Sequence, residues 1–267
     1  EELNAQIRML KEKKPPTFVT IETLEKYIME RKFLQTVGAL TLVMSLFSFS
    51  ACAENGNQNA TEMSMQESVV ALQPEWMKIL HDTLPICKIS IPGTHDSGST
   101  KGGPMLETQS SDIPGQLQQG IRAFDIRLQK KDDKLGIYHS RAFQNIYWED
   151  DVLPAFLYFL QEHPTETLIV SLKKEGGELQ DYASLLSASL SEVAYQPYFV
   201  TDFSPALTLK DCRGKILFLH RDRAMEEYPG ASCIGWKDNT TCELTLRNKK
   251  GLDGFALLQD EYQYESG

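Results

Sequence analysis

Short apolar segments alternate with helical patterns along the chain after Pro74. Apolar residues at helical spacing predict one helix from Val152 to Leu160, ending at His163-Pro164, and another from Leu179 to Val193. Strands that alternate with helices are typical of a parallel sheet or barrel. The segments that predict strands are Lys88–Pro92, Ile121–Leu128, Lys134–His139, Thr167–Leu172, Lys215–His220 and Gly254–Gln259.

Polar side chains stand at the end of each predicted strand, or just before or beyond it. In a β/α barrel the carboxyl ends of the strands form the active site, whereas a flat doubly wound sheet concentrates its site at one switch point. We therefore predict an α/β fold, a (β/α) TIM-type barrel with about six of its strands present. Because a closed barrel has eight strands, we expect the chain to be truncated at its C-terminus. The polar residues are His95, Asp125, Arg127, His139, Lys173, Arg221, Asp260 and Tyr262.

The second and third predicted strands break the alternation. Only Gln129–Asp133 separates them, which is too short for a crossover helix. A hairpin that turns near Asp132 would place Asp125 opposite His139, because both lie seven residues from the turn. We expect Asp132-Asp133 to form a turn and not a metal site.

An uncharged and mostly apolar run, Phe33–Ala53, follows Arg31 and Lys32. A short cationic start, an apolar run and small residues before Cys52 resemble the signal and cleavage site of a bacterial lipoprotein. We predict a lipoprotein-type signal peptide at 29–52, with lipid attachment at Cys52. The alternative is an uncleaved membrane anchor, which about 20 apolar residues could supply.

This prediction divides the chain into four parts. Residues 1–28 precede the signal and are interpreted as upstream sequence outside the native protein. Residues 53–73 form a polar linker, and residues 74–267 form the globular domain. In either case the globular domain is exported, as a bacterial cell-envelope lipoprotein or a secreted protein.

The charge balance and the cysteines narrow the function classes. The chain holds 27 Lys and Arg against 37 Asp and Glu, a formal charge of −10, which argues against nucleic-acid binding and against a basic lipid-docking face. Export permits disulfides. Among Cys87, Cys212, Cys233 and Cys242, the last two are the favoured pair, and the other pairings stay open. No Cys/His cluster suggests a zinc site.

Several of the polar residues belong to longer motifs. These motifs are Ser90-Ile-Pro-Gly-Thr-His-Asp-Ser97, Phe124-Asp-Ile-Arg127, His139, Ser171-Leu-Lys-Lys174, Asp211–Arg221 and Gln259-Asp-Glu-Tyr262. With them, the chain from about Trp76 to Tyr262 closely resembles the bacterial phosphatidylinositol-specific phospholipase C family. The resemblance implies a distorted TIM-type barrel, a membrane phospholipid substrate, and cleavage of its phosphodiester bond to diacylglycerol and a cyclic inositol phosphate.

The resemblance also implies a role for each catalytic residue. His95 would be the general base that takes the proton of the inositol 2-hydroxyl, and His139 the general acid that protonates the departing diacylglycerol. Arg127 would hold the phosphate oxygens in a forked contact. Asp96 would orient His139, and Asp125 would pair with Arg127 or with a histidine.

Four more residues match family positions that bind the inositol ring: Lys173, Arg221, Asp260 and Tyr262. In the family, the carboxylate that orients the base histidine comes from later strands, so we expect His95 to lack this family partner in the present chain. Calcium-dependent relatives place a carboxylate where Arg127 stands. Because a fixed guanidinium can replace the electrostatic effect of the ion, we predict no metal and no cofactor.

Two other functions stay open at this point. One is a metal-dependent glycerophosphodiester phosphodiesterase on a related barrel, which Arg127 disfavours. The other is a non-catalytic phosphoinositide- or glycan-binding lipoprotein, which the intact His95 and His139 disfavour. The substrate is open between phosphatidylinositol and a glycosyl-phosphatidylinositol anchor. We expect a monomer that is tethered to the membrane by its N-terminal lipid.

Overall fold

The computed structural model describes residues 73–103, 106–222 and 228–262. The predicted upstream sequence (1–28), the signal peptide with Cys52 (29–52) and the linker up to residue 72 lie outside the described residues. No helix within the described ranges is long and apolar enough to cross a membrane.

The described strands form one sheet in the order β4-β3-β2-β5-β6-β7-β8-β9, and β1 pairs with β2. The pairs β1–β2, β2–β5, β5–β6 and β6–β7 are parallel, and antiparallel hairpins form both ends of the sheet. The strands are β1 (Gly93–Thr94), β2 (Ala123–Lys131), β3 (Lys134–His139), β4 (Ala142–Tyr147), β5 (Leu168–Lys174), β6 (Ile216–His220), β7 (Ala231–Ile234), β8 (Thr240–Arg247) and β9 (Asp253–Asp260).

Four α-helices lie between the described strands along the chain. They are α1 (Ile113–Gln118), α2 (Leu153–Glu162), α3 (Leu179–Leu190) and α4 (Leu209–Cys212), with 3-10 turns at Gln73–Ile79, Ile86–Lys88 and Gln196–Tyr198 and a π-helical turn at Trp148–Val152. The two predicted helices are confirmed as α2 and α3, and α2 ends one residue before His163-Pro164. Five of the six predicted strands are confirmed within a few residues, and Lys134–His139 has the bounds predicted for it.

The predicted strand Lys88–Pro92 is wrong. Ile86–Lys88 forms a 3-10 turn, and the strand itself is limited to Gly93–Thr94. Pro92 has no N–H to donate to a neighbouring strand. Its carbonyl accepts hydrogen bonds from the N–H groups of Arg122 and Ala123, at the start of β2. The prediction also missed β4, β7 and β8, so the described sheet holds more strands than the six expected.

The hairpin register also differs from the prediction by one residue. Lys131 pairs with Lys134 and Leu128 with Ile137, so a two-residue turn at Asp132-Asp133 joins the strands. Asp132 adopts a left-handed φ of 56°, as such tight turns require. Continuing this register places Ile126, not Asp125, opposite His139. The expected turn at Asp132-Asp133 is therefore confirmed, and the expected pairing of Asp125 with His139 is wrong.

The inner face of the sheet carries an apolar core that includes Leu217, Leu219, Leu244 and Leu246. Cys212, Cys233 and Cys242 belong to this core, and all four described cysteines are free thiols. Cys233 lies opposite Leu246, so Cys242 is four positions further along β8. At the rise per residue of a β-strand, four positions separate the two cysteines by about 13 Å along the strand, which is too far for a disulfide. The favoured Cys233–Cys242 bond is therefore not formed.

A buried ion pair lies at the N-terminal ends of the central strands. Arg122 Nε donates to Glu166 Oε2 at 2.9 Å, and both side chains are fully buried. The guanidinium also donates to the carbonyls of Leu117, Ile121 and Pro74, and it lies over the ring of Phe159. Arg122 therefore ties the N-terminal 3-10 turn and α1 to the sheet, at the end away from the polar strand ends.

Candidate active site

The polar residues meet at the carboxyl ends of the parallel strands. His95 directly follows β1, and Arg221 directly follows β6. Asp125 and Arg127 lie in β2, where Arg127 pairs with Lys173 of β5. The strands β3 and β9 end at His139 and Asp260. The fold therefore brings residues far apart in sequence to one end of the barrel, as the alternation of strands and polar residues predicted.

The loop that carries His95 is fastened to β2 by Ser97. The N–H of Ser97 donates to the carbonyl of Asp125 at 2.9 Å, and Ser97 Oγ accepts from the N–H of Asp125 at 2.8 Å. Ser97 Oγ also donates to the carbonyl of Thr94 at 2.9 Å. Asp96, which lies between His95 and Ser97, adopts a left-handed φ of 44°, a conformation that few residues other than glycine adopt. The motif thus sets the positions of His95 and Asp96 against β2.

The carboxylate of Asp96 lies at the centre of the site. Its Oδ2 is 3.2 Å from His95 Nε2 and 3.4 Å from His139 Nε2, and its Oδ1 is 2.5 Å from Arg127 Nε. These are ion-pair distances, and no described residue gives either oxygen a well-directed hydrogen bond. Asp96 therefore contacts both histidines and the arginine from a buried position between them.

Arg127 places a permanent cation beside these groups. Its Nε and Nη2 each donate to Asp125 Oδ2 at 3.1 Å, and Nη2 is 3.3 Å from His95 Nε2. Burial lowers the pKa of Arg127, but Asp125, Asp96 and Glu175 outweigh burial and raise the pKa above its ordinary value. The guanidinium therefore stays charged, and it faces the nitrogen of His95 that points into the site.

His95 has a carboxylate partner within this chain, which is Asp260 and not a residue of a later strand. Its Nδ1 is 2.9 Å from Asp260 Oδ1, because the β8–β9 hairpin returns the chain to the site. Burial opposes the charged imidazolium, but Asp260 and Asp96 outweigh burial and raise the pKa of His95 to about 9. Burial by itself would raise the pKa of Asp260, but the hydrogen bonds donated by His95 and Trp236 outweigh burial and lower the pKa below its ordinary value. The pair is therefore an imidazolium and a carboxylate at neutral pH.

His139 is oriented by a backbone carbonyl. Its Nδ1 lies 2.9 Å from the carbonyl oxygen of Leu106. Because a carbonyl can only accept, Nδ1 carries a proton and Nε2 is the nitrogen that gains or loses one. Nε2 faces Asp96, and the side chain is 23% exposed, so it is open to a ligand.

The predicted ring-binding residues surround this centre. Arg221 Nη1 donates to Asp125 Oδ1 at 3.1 Å, and Lys173 Nζ is 3.2 Å from Glu175 Oε2. The ring of Tyr262 stacks on the imidazole of His95, with ring centroids 3.9 Å apart. The structure thus brings together all nine predicted side chains within the described residues; their roles stay predictions.

Sequence reasoning missed two side chains that contact these residues. Glu175 lies just beyond β5, 3.8 Å from Arg127 and 3.2 Å from Lys173, and it accepts from the N–H of Ser140. Trp236 donates to Asp260, and its ring lies under the guanidinium of Arg221. The available signal for Glu175 was its place at a strand end beside Lys173. No pattern in the sequence marks Trp236.

His95, Asp96 and Asp125 have ligand atoms within 4.8 Å of one another, a spacing that could suit a metal ion. The guanidinium of Arg127 already contacts all three of these residues. A metal ion at the same place would meet a fixed positive charge. We therefore interpret the cluster as an ion-pair network around Arg127.

Comparison with known proteins identifies the family. Residues 83–222 match the family described as phosphatidylinositol-specific phospholipase C, X domain. The chain belongs to this family. It is 34% identical over 205 residues to the 1-phosphatidylinositol phosphodiesterase of Listeria monocytogenes, and 31% identical over 207 residues to that of Staphylococcus aureus.

The phospholipase C family also accounts for the fold. A solved structure of the phosphatidylinositol-specific phospholipase C of Staphylococcus aureus matches with a TM-score of 0.61 and 28% identity, covering 73% of this chain and 69% of that one. The distorted TIM-type barrel implied by the resemblance is confirmed as a fold class. The two curated relatives match 72% and 70% of this chain, which spans 62% and 64% of their lengths.

Proposed function

We propose that the protein cleaves the phosphodiester bond of phosphatidylinositol by intramolecular attack of the inositol 2-hydroxyl. The observation that carries this proposal is the shared contact of His95 and His139 with Asp96, beside the guanidinium of Arg127. Two imidazoles and one fixed cation are the groups that such a reaction needs: a base, an acid, and a partner for the phosphate oxygens. The family relatives, named 1-phosphatidylinositol phosphodiesterases, support the same reaction.

In this mechanism Nε2 of His95 takes the proton of the 2-hydroxyl while the oxygen attacks phosphorus. The bond from phosphorus to the glycerol oxygen breaks, and Nε2 of His139 gives that oxygen its proton. The products are diacylglycerol and a cyclic inositol phosphate. Nδ1 of His95 faces Asp260, and Nδ1 of His139 faces the Leu106 carbonyl, so in each imidazole Nε2 is the nitrogen directed at the site.

Arg127 stabilises the charge that develops on the phosphate. Its Nη2 lies 3.3 Å from His95 Nε2, so a phosphate held by Arg127 is next to the base. Lys173, Arg221, Asp260 and Tyr262 hold the inositol ring in this proposal, supported by their positions around the same centre. No step uses a metal ion, because Arg127 supplies the positive charge at the phosphate.

The decisive experiment is cleavage of phosphatidylinositol in mixed vesicles, with the products identified by phosphorus NMR. The expected products are diacylglycerol and a cyclic inositol phosphate, at a rate that a chelator does not change. Loss of activity with chelator favours the metal-dependent phosphodiesterase. Tight binding of inositol phosphate with no turnover favours the non-catalytic lipoprotein. A parallel incubation with a glycosyl-phosphatidylinositol-anchored protein distinguishes the two headgroups.

We also propose that the protein is an exported monomer, anchored by lipid at Cys52. The support is the sequence pattern around Cys52, with its cationic start and apolar run. Metabolic labelling with a radioactive fatty acid, in a bacterial host, should label the wild type and not Cys52→Ser. Label in both proteins, or in neither, would contradict the anchor. Sedimentation of the detergent-solubilised protein tests the monomer.

A further inference from the structure

The turn between β7 and β8 is bonded to the end of β9 at three points. Trp236 Nε1 donates to Asp260 Oδ2 at 3.0 Å. The hydroxyl of Tyr262 donates to Asp238 Oδ2 at 2.6 Å, and the N–H of Tyr262 donates to Asn239 Oδ1 at 3.0 Å. Asp260 and Tyr262 are the residues of β9 and its end that contact His95. The turn is therefore hydrogen-bonded to Asp260 and to Tyr262, the two side chains from this end of β9 that contact His95.

Trp236 makes a second contact on the other side of the site. The guanidinium of Arg221 lies over its ring, 4.1 Å from the centroid, and Arg221 Nη1 donates to Asp125 Oδ1. The ring also packs against the apolar core inside the barrel. A rigid aromatic side chain anchored in the core thus meets a carboxylate through its N–H and a cation through its face.

We propose that Trp236 is a positioning residue, which holds Asp260 against His95 and Arg221 against Asp125. It contacts neither histidine and acts only through these two charged side chains. This inference rests on the proposed function, and it adds a residue that neither the motifs nor the predicted roles include.

Trp236 differs from the other two tryptophans in the acceptor of its indole N–H. Trp76 donates to the carbonyl of Gly120, and Trp148 donates to the hydroxyl of Ser189. Only Trp236, among these three, donates to a carboxylate that contacts a site histidine. A hydrogen bond to a charged acceptor is the stronger kind, and it fixes the second oxygen of Asp260 while the first faces His95.

Two substitutions separate the two contacts. Trp236→Phe removes the N–H and keeps an aromatic face for Arg221, whereas Trp236→Leu removes both. Trp76→Phe is the matched control, because it removes an indole N–H of similar exposure that is remote from the site. We expect kcat/KM on phosphatidylinositol vesicles to fall about tenfold in Trp236→Phe and further in Trp236→Leu, with kcat more affected than KM in the first. Trp76→Phe should retain the wild-type value.

A pH titration of His95 gives a readout that a merely structural role would not change. His95 is followed by NMR in the full chain without substrate, so the measurement does not depend on turnover. His95 also faces Asp96, Asp125, Arg127 and Tyr262, and none of these is altered by the variants. Without a fixed Asp260, the midpoint of His95 should move toward its ordinary value in Trp236→Phe, by about half a unit or more, and stay in place in Trp76→Phe.

The outcomes are distinguishable. If the His95 midpoint and the kcat/KM pH profile of Trp236→Phe equal those of the wild type, the positioning role is overturned. The same holds if Trp76→Phe shifts them equally. If the midpoint shifts but the wild type cleaves no phosphatidylinositol, the proposed function fails and the positioning of His95 holds. Thermal melting checks folding, and Trp236→Phe decides the question even if Trp236→Leu does not fold.

Discussion

His95 Nδ1 and Asp260 Oδ1 lie 2.9 Å apart, although 165 residues separate them in the sequence. Asp96 meets the other ring nitrogen at 3.2 Å, and Asp125 lies 4.0 Å from Nδ1. A general base has to be neutral to accept a proton, and these carboxylates favour the protonated form. The pKa of about 9 for His95 therefore places the active form on the alkaline side.

Replacement of Asp260 by asparagine should move the ascending limb of the pH profile of kcat/KM. In the wild type, kcat/KM on phosphatidylinositol should rise with pH until the pKa of His95 near 9, because kcat/KM reports the free enzyme. In Asp260→Asn the loss of one carboxylate should shift this limb toward lower pH and reduce the maximum. Asp253→Asn is the control, since Asp253 is an exposed carboxylate on the same strand. A limb that does not move would show that Asp260 does not act on His95.

Loss of either histidine should nearly abolish turnover. We expect His95→Ala and His139→Ala each to reduce kcat by at least about a hundredfold, as removal of a general base or acid does. His81→Ala is the matched control, because His81 is exposed. Initial rates on phosphatidylinositol vesicles, with circular dichroism to check folding, measure the effect. A folded variant with a near-normal rate would remove that histidine from the mechanism.

Arg127→Lys should not behave as a conservative change. Arg127 contacts Asp125, Asp96 and His95 through its Nε and Nη2, and a lysine ammonium cannot repeat that geometry. We expect kcat to fall by about a hundredfold, with stability changed little because the charge remains. Arg141→Lys, at an exposed position, controls for the substitution itself. Equal rates in Arg127→Lys and the wild type would show that the forked geometry is not needed.

The sequence predicted which polar side chains meet at the site better than it predicted the sheet. Strand-end polar residues and the motif around His95 are local features, so they could be found without knowing the register. The pairing of Asp125 with His139 failed by one residue, because it depended on whether the turn at Asp132-Asp133 has two residues or three. The contact of Asp260 with His95 depends on the β8–β9 hairpin, which no local pattern relates to β1.

Missed strands have a similar explanation. Cys242, Leu244 and Leu246 alternate with polar residues along β8, a pattern that is typical of a half-buried strand and that stands in the sequence without a neighbouring helical pattern. The strand β7 has only four residues and borders a segment from Tyr228 to Gly230 that carries no strand signal. The predicted strand at Lys88–Pro92 failed because alternation of apolar residues also suits an extended segment that packs on the core, as Ile89 and Ile91 do.

The buried pair of Arg122 and Glu166 should be essential for stability. Removing one partner leaves the other charge buried without compensation, so Arg122→Leu and Glu166→Leu should each lower the free energy of unfolding by about 3–5 kcal/mol. The double variant should be less destabilised than the sum of the two. Asp253→Ala, which breaks an exposed ion pair with Arg247, should destabilise the fold far less. Urea unfolding of each protein measures these differences, and additive losses would contradict the coupling.

His220 should make the fold less stable at low pH. It is 2% exposed, and its Nε2 donates to the carbonyl of Pro229. Burial lowers the pKa of His220 to about 4, although the Pro229 carbonyl opposes the shift. Above the ordinary pKa of about 6.5 the imidazole is neutral in both states and stability is unaffected. As the pH falls from about 6.5 toward 4, only the unfolded chain takes up the proton, so stability should fall by about 1.4 kcal/mol per pH unit.

The variant His220→Phe tests this pH dependence, because it keeps a ring beside Phe218 and Tyr228 and removes the titrating group. It should be less stable than the wild type at pH 7, since it loses the hydrogen bond to Pro229. Between pH 7 and pH 5, however, it should lose about 2 kcal/mol less than the wild type in urea unfolding. His81→Phe, at an exposed histidine, should keep the wild-type pH dependence. Equal losses in His220→Phe and the wild type would mean that other groups carry the acid sensitivity.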